Sequence, residues 1–274
     1  MNCSKAELKY LRSLSQKKVR EAERRFVLEG WRALKEALNS PATIDLVAVL
    51  ARFLTDPDYG KILAQLEQRR IPVKEIKEAE LKSVADAVHS QGVLAVIQQP
   101  QVQLDDRWFD RASLVIAADA VADPGNVGSI VRSADWFGVD LVLLGKGCVD
   151  LYNEKVVRST VGSIFHVPVG TDVDLPAVLR QMKKAGYGII TLSSDGKKTY
   201  AEQEIGEKTV YVLGSEAHGV SQDVRALSDA TVRIPKYGKA ESLNVGVACG
   251  IMLSYVRTIM KSERVRLRPD ISVD

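Results

Sequence analysis

Two successive series of short apolar runs, each run followed by an amphipathic stretch, dominate this 274-residue chain. They restrict it to few architectures. In the first series "IDLVAVL" (44–50), "IPVKEIK" and "GVLAVIQQP" (92–100) read as strands. They alternate with the helical stretches "GWRALKEAL", "GKILAQLEQRR" and "EAELKSVADAV". In the second series "SLVIAAD" (113–119), "VDLVLLG", "YGIITLS", "KTVYVLGSE" and "ATVRIPK" are the strands, and a long helix from about Ser242 closes the domain. Runs that are apolar at nearly every position suit strands covered on both faces, so the pattern predicts an α/β fold with a parallel sheet in the second series. The polar stretch "QPQVQLDDRW" separates the two. It predicts a smaller α/β domain at 1–100, a linker at 101–111 and a second domain at 112–274.

Composition removes several classes. An apolar fraction of 46% with 27% charged residues is that of an ordinary globular chain. Three cysteines, Cys3, Cys148 and Cys249, lie far apart and make neither a disulfide framework nor a metal spacing. The three histidines, His89, His166 and His218, form no ligand pair at helical spacing, so no metal is expected. No apolar run reaches the ~18 residues of a membrane span. The first residues carry charges every few positions instead of a signal-peptide core. A reducing, cytoplasmic setting is expected. The net charge is only +3, but Lys5, Lys9, Arg12, Lys17, Lys18, Arg20, Arg24 and Arg25 crowd the first 25 positions, and "KSERVRLRP" near the other end is basic too. Such bias suits a phosphate backbone, and it also suits a solvated helix.

In doubly covered sheets ligands bind beyond the carboxyl ends of the strands, which singles out the loops at 119–126, 214–221 and 235–243. The first, "DPGNVGSIVRSADWFG", places Asn126 at a helix start and Arg132 six residues on. Either Asp123 or Asn126 can serve as a cap. The second, "VLGSEAHGVS", brings Gly214, Ser215, Glu216 and Gly219 together. Its glycines have neither the dinucleotide spacing nor a following Lys-Ser/Thr pair. His218 is more simply polar surface than a base. The third, "RIPKYGKAESLNVGVACG", runs from a strand end through Ile234 and Pro235 to Ser242, Leu243 and Asn244 at the start of the last helix. A capping role accounts for Ser242 and leaves Asn244 without a structural reason.

Taken in order, Asn126 with Arg132, then "GSEAHG", then "IPKYGKAESLN" resemble the three motifs of the SpoU (TrmH-like) branch of the SPOUT RNA methyltransferases, over residues 112–262. "FVLEGWRALKEAL" resembles the opening of the ribosomal-protein-like substrate-binding domain that precedes the catalytic domain in many members. The resemblance implies transfer of a methyl group from S-adenosylmethionine to a ribose 2′-hydroxyl, with ribosomal RNA of the large subunit expected and transfer RNA as the alternative. It implies a catalytic domain with a deep trefoil knot and a homodimer through that domain, in which Val247, Ile251 and Tyr255 of the last helix contribute to the interface. It also implies that Leu213, Gly214, Gly219, Ile234, Pro235 and Leu243 hold the cofactor, and that Asn126, Arg132, Glu216, Ser242 and Asn244 are the catalytic set. Ala217 and His218 depart from the pair common in relatives, which puts a role for His218 in doubt. A non-catalytic RNA-binding assembly factor would keep the fold without turnover. A dinucleotide oxidoreductase would need a glycine fingerprint that neither first strand is followed by.

Overall fold

The computed structural model describes residues 1–84, 91–100, 102, 104 and 106–267, with side chains to residue 260 except those of 106 and 107. It divides into two compact units, 1–101 with 150–166, and 102–149 with 167–274. The excursion at 150–166 is absent from a linear partition at residues 100 and 112. His89 and the last four residues of "EAELKSVADAV" fall outside the described residues, as do the side chains of the basic run after residue 260.

The first unit is built on strands β1 (Arg25–Glu29), β2 (Ile44–Leu50), β3 (Val73–Ile76) and β4 (Val93–Gln98), in the order β1-β4-β2-β3. β4 is antiparallel to both its neighbours, and β3 runs parallel to β2. The basic stretch at the N-terminus is two helices, Lys5–Ser13 and Lys17–Glu23. The first opens on a capping box, in which Ser4 Oγ accepts from the Glu7 amide while the Glu7 carboxylate accepts from the Ser4 amide. Its Leu8 and Leu11 enter a core with Val27, Ala48, Leu94 and Val96. Arg20 is 4% exposed and donates to Asp150 and to the carbonyls of Leu14 and Ser15. The excursion thus joins this unit through a partly buried ion pair, with Tyr152 and Phe165 adding their rings against Phe26.

The second unit holds seven parallel strands: β5 (Leu114–Asp119), β6 (Leu141–Gly145), β7 (Val169–Val173), β8 (Gly188–Leu192), β9 (Lys198–Thr199), β10 (Thr209–Gly214) and β11 (Ala230–Arg233). Their order is β7-β6-β5-β10-β8-β11-β9. The chain runs outward from β5 to β7, then returns past β5 to β8, so the order reverses beside β5. Val115, Leu143, Ile189, Val210 and Val212 pack on one face against Leu175, Leu179 and Met182 of the helix Leu175–Lys184. Helices Pro124–Trp136 and Val245–Leu267 pack against each other, and the second also against β10. The expected linker is half helix: Asp106–Arg111 sends Phe109 into the sheet core, where its single large apolar side chain outweighs the polar character of the stretch.

Candidate active site

The two helices that build the site run side by side in the same direction. Gly246 meets Ser129, Gly250 meets Ser133, and Arg257 donates to the carbonyls of Phe137 and Gly138. A methyl group on Gly246 would come within 2.8 Å of the Ser129 side chain, so glycine is what lets the helices close. Asp123 caps the first helix, accepting from the Asn126 amide at 2.8 Å. Asn126 is thereby freed from capping duty, and its side chain points elsewhere.

Asn244, not Ser242, is the residue at the mouth of the last helix. Its Oδ1 accepts from the amides of Gly246 (2.9 Å) and Val247 (3.2 Å), which are otherwise orphan donors of the first turn. The capping role expected for Ser242 therefore belongs to Asn244, and the helix begins at Val245. Asn244 has a second task. Its Nδ2 donates to Asn126 Oδ1 at 2.7 Å, and Asn126 Nδ2 donates to Glu216 Oε1. Both ends of the Asn126 amide are used and the carboxylate can only accept, so the direction of the relay is set. Three loops distant in sequence are tied together by one chain of side chains.

The loop that carries Glu216 is folded hard onto the end of β10. Ser215 and Gly219 exchange backbone hydrogen bonds at 3.1 and 2.9 Å, and Gly219 has φ +67°. A Cβ on Gly214 would lie 2.1 Å from the Gly219 carbonyl carbon and 2.2 Å from the Val220 amide nitrogen, which no rotamer change could relieve. Beyond the loop, the Ser221 amide donates to the buried carboxylate of Asp119 at 2.7 Å. Asp119 ends β5 and pairs in register with Gly214. One end of the loop is fixed by Asp119, the other by Asn126 through Glu216.

A cavity of about 430 Å³ opens at the carboxyl ends of β8, β10 and β11, within the ~300–1,000 Å³ of small-molecule sites. Every residue expected to hold a cofactor lines it: Leu213, Gly214, Gly219, Ile234, Pro235 and Leu243. So do Ser242 and Glu216. Asn126 and Asn244 stand behind that wall and reach it through the relay. Arg132 does not join them. It is exposed, and among the described residues no hydrogen bond or ion pair holds it. Six residues past Asn126 it lies about 120° round the helix, which turns it off the relay.

One wall was not foreseen. Leu192 at the end of β8 lines the cavity with Ser193 and Ser194 after it, and Arg233 lines it from β11. Arg233 donates to the carbonyls of Gly196 (2.6 Å) and Lys197 (2.7 Å), and Arg225 holds Asp195 at 2.7 Å. That guanidinium, helped by the Ser193 hydroxyl, keeps the Asp195 carboxyl down at about 2. The strand-end rule marks "SSDGKK" as readily as the other three loops, and its short polar residues carry the same turn chemistry. Cys249 is buried below the helix start, and desolvation pushes its thiol up to about 12, so it stays protonated and inert. Among the described residues no group of three His, Cys, Asp or Glu could hold a metal, and no helix is long and apolar enough to cross a membrane.

Comparison with known proteins places this geometry. Residues 5–95 match the MRM3-like substrate binding domain. A Bacillus subtilis protein named 23S rRNA (guanosine(2553)-2'-O)-methyltransferase RlmP is 32% identical over 251 residues, which span 92% of this chain and 96% of that one. The AdoMet-bound rRNA methyltransferase of Sinorhizobium meliloti superposes with a TM-score of 0.82 at 26% identity, over 95% of this chain and 97% of the other. The SpoU methyltransferase AviRb of Streptomyces viridochromogenes, in complex with the cofactor AdoMet, also gives 0.82, at 25% identity over 94% and 99%. The SpoU rRNA Methylase family matches residues 113–254, more than half the sequence, and the chain belongs to that family of methyltransferases.

Proposed function

We propose that this protein transfers a methyl group from S-adenosylmethionine to a ribose 2′-hydroxyl of RNA, with large-subunit ribosomal RNA as its substrate. The observation that carries this is the convergence of the strand-end loops on one cavity, braced by the Asn244–Asn126–Glu216 relay. The named activity of the Bacillus subtilis relative supports the ribose and the ribosomal substrate. The cytoplasm is where such an RNA would be met.

The cavity fits the cofactor: apolar Leu213, Ile234 and Leu243 can cover a nucleoside, while Gly214 and Gly219 leave the backbone open to polar contact. When bound, S-adenosylmethionine supplies a sulfonium methyl that is already electrophilic. The protein's task is then to bring a weak nucleophile into line, and good alignment alone can be worth ~7–11 kcal/mol. Ser242 lines the cavity wall and brings a hydroxyl-bearing side chain to it. Glu216, held by Asn126, fixes the loop over Gly214. Arg132 enters this reading through its planar cationic fork. Its role is to grip a phosphate and orient the 2′-hydroxyl, whose proton leaves to a neighbouring phosphate or water. Arg132 stands apart from the cavity within one chain, so a homodimer that joins two catalytic units is part of this reading. Trp136 at 84% exposure and Val247 at 51% offer an apolar patch on the adjoining helices, with Ile251 half-buried beside them. Tyr255 contributes less, since its ring already rests on Tyr200 and its hydroxyl donates to Ala201. The deep trefoil knot belongs to the same proposal.

The test is transfer of labelled methyl from S-adenosylmethionine to RNA lacking the modification, wild type against Asn126→Ala. Label in alkali-resistant dinucleotides of the large ribosomal RNA, lost in the variant, is the expected result. Label in alkali-labile nucleotides would overturn the ribose. Label in transfer RNA would replace the substrate, and cofactor binding without transfer to any RNA would indicate an assembly factor.

A further inference from the structure

The loop from Lys236 to Glu241 forms the rim of the cavity, and at its apex Tyr237 is 96% exposed. Among the described residues no other ring touches it, whereas Trp31, Tyr59 and Phe53, or Tyr200 and Tyr255, pack in groups. A lone exposed Tyr needs no explanation on most surfaces. Here it is, among the described residues, the most exposed large apolar side chain, and it stands within two residues of Pro235 and five of Ser242, both of which line the cavity. At no more than ~3.6 Å per residue, the ring cannot lie far from the place where a methyl group is transferred.

Its neighbours decide what it suits. Lys236 and Lys239 flank it and are exposed, with Glu241 as the one acid of the loop. An aromatic face set between two ammonium groups matches an unstacked nucleobase with phosphates on either side. Bases in single-stranded RNA are held on aromatic faces, with the backbone held by Lys and Arg. A protein partner would be expected to meet a wider apolar patch than one ring. We propose that Tyr237 is a stacking platform for an unpaired RNA base beside the target ribose, with Lys236 and Lys239 holding the adjoining phosphates. This rests on the reading of the cavity as a methyl-transfer site on RNA. It makes Tyr237 a determinant of which RNA is accepted: the target must lie where a neighbouring base can leave its stack.

The experiment measures binding of a short fluorescein-labelled single-stranded RNA to the full chain by anisotropy, alongside cofactor affinity by calorimetry and methyl transfer. Tyr237→Ala is expected to weaken RNA binding about tenfold and to raise KM for RNA, with cofactor affinity unchanged. Tyr237→Phe keeps the ring and should restore both. Lys236→Gln with Lys239→Gln should weaken binding and flatten its salt dependence. The proposal is overturned if Tyr237→Ala binds RNA like wild type, if it loses cofactor affinity in step with RNA affinity, or if Phe fails to rescue. The two readings fail separately. RNA binding that depends on Tyr237, without methyl transfer, would sink the methylation. Methyl transfer to RNA that ignores Tyr237 would sink the platform.

Discussion

At the scale of single residues, Ser242 and Asn244 divide labour in a way that substitution can resolve. Asn244→Ala removes a helix cap, which costs ~1 kcal/mol, and it also removes the donor to Asn126. We expect a lower melting temperature together with lower activity. Ser242 lines the cavity, and the first-turn amides go to Asn244 instead, so Ser242→Ala should leave the melting temperature unchanged while lowering methyl transfer. Equal loss of stability in both variants would contradict the assignment of the cap. Arg132 offers a sharper contrast. Its side chain is exposed and outside the cavity lining, so Arg132→Lys should leave stability and cofactor affinity intact. Because lysine lacks the planar fork that binds a phosphate through two parallel hydrogen bonds, turnover should fall at least tenfold. Near-normal turnover would remove the fork from the mechanism.

At the scale of elements, most strands were legible because both their faces are covered, which leaves an uninterrupted apolar run such as "LVIAAD" or "TVYVLG". What escaped depends on distant partners. β7 has two exposed positions in five, and β9 is a two-residue edge. The helix Glu154–Thr160 buries Val156 and Val157 beside β1, more than a hundred residues earlier in the chain. Arg20 looks like one more charge in a basic arm, yet it is among the most buried polar residues of the structure. The site followed the same rule. Its positions could be read from motifs, but the relay that makes Asn244 a cap and a brace at once exists only after folding. The loop at 193–197 adds a pH-dependent element. The Asp195 carboxyl is held down at about 2, chiefly by Arg225 and then by Ser193, against an ordinary value of 3.8. A depressed folded value means stability that is present above 3.8 and is lost as pH falls toward 2. The side chain is mostly exposed, so the effect is small. Asp195→Asn should lower the melting temperature by a constant amount above about pH 5, and the gap to wild type should narrow from about pH 4 downward. A gap that widened in acid would reverse the sign.

At the scale of the whole molecule, the chain enters the first unit, leaves it, returns for residues 150–166 and leaves again. The second unit therefore cannot be cut out by severing one linker. A chain truncated to 102–274 would keep the seven-stranded sheet but expose everything that residues 150–166 bury against the first unit. Asp150 would lose the Arg20 guanidinium, Tyr152 and Phe165 would lose the Phe26 ring, and Val156, Val157 and Ile164 would face water. Each large apolar side chain so exposed forfeits ~1.5–3 kcal/mol of burial. We expect the truncated chain to aggregate, or to melt well below the full chain, even though every residue of the proposed cofactor cavity is present in it. Arg20→Ala in the full chain is the milder version of the same cut. It leaves Asp150 without its partner and the Leu14 and Ser15 carbonyls without a donor, and because Asp150 keeps some access to water the loss should fall below the ~3–5 kcal/mol of breaking a fully buried pair. Thermal denaturation of the three proteins, with cofactor affinity measured below each transition, decides the matter. A 102–274 chain as stable as the parent would mean that the excursion is only passively attached. Loss of stability with cofactor affinity retained would mean that the packing of residues 150–166 secures the chain without shaping the cavity.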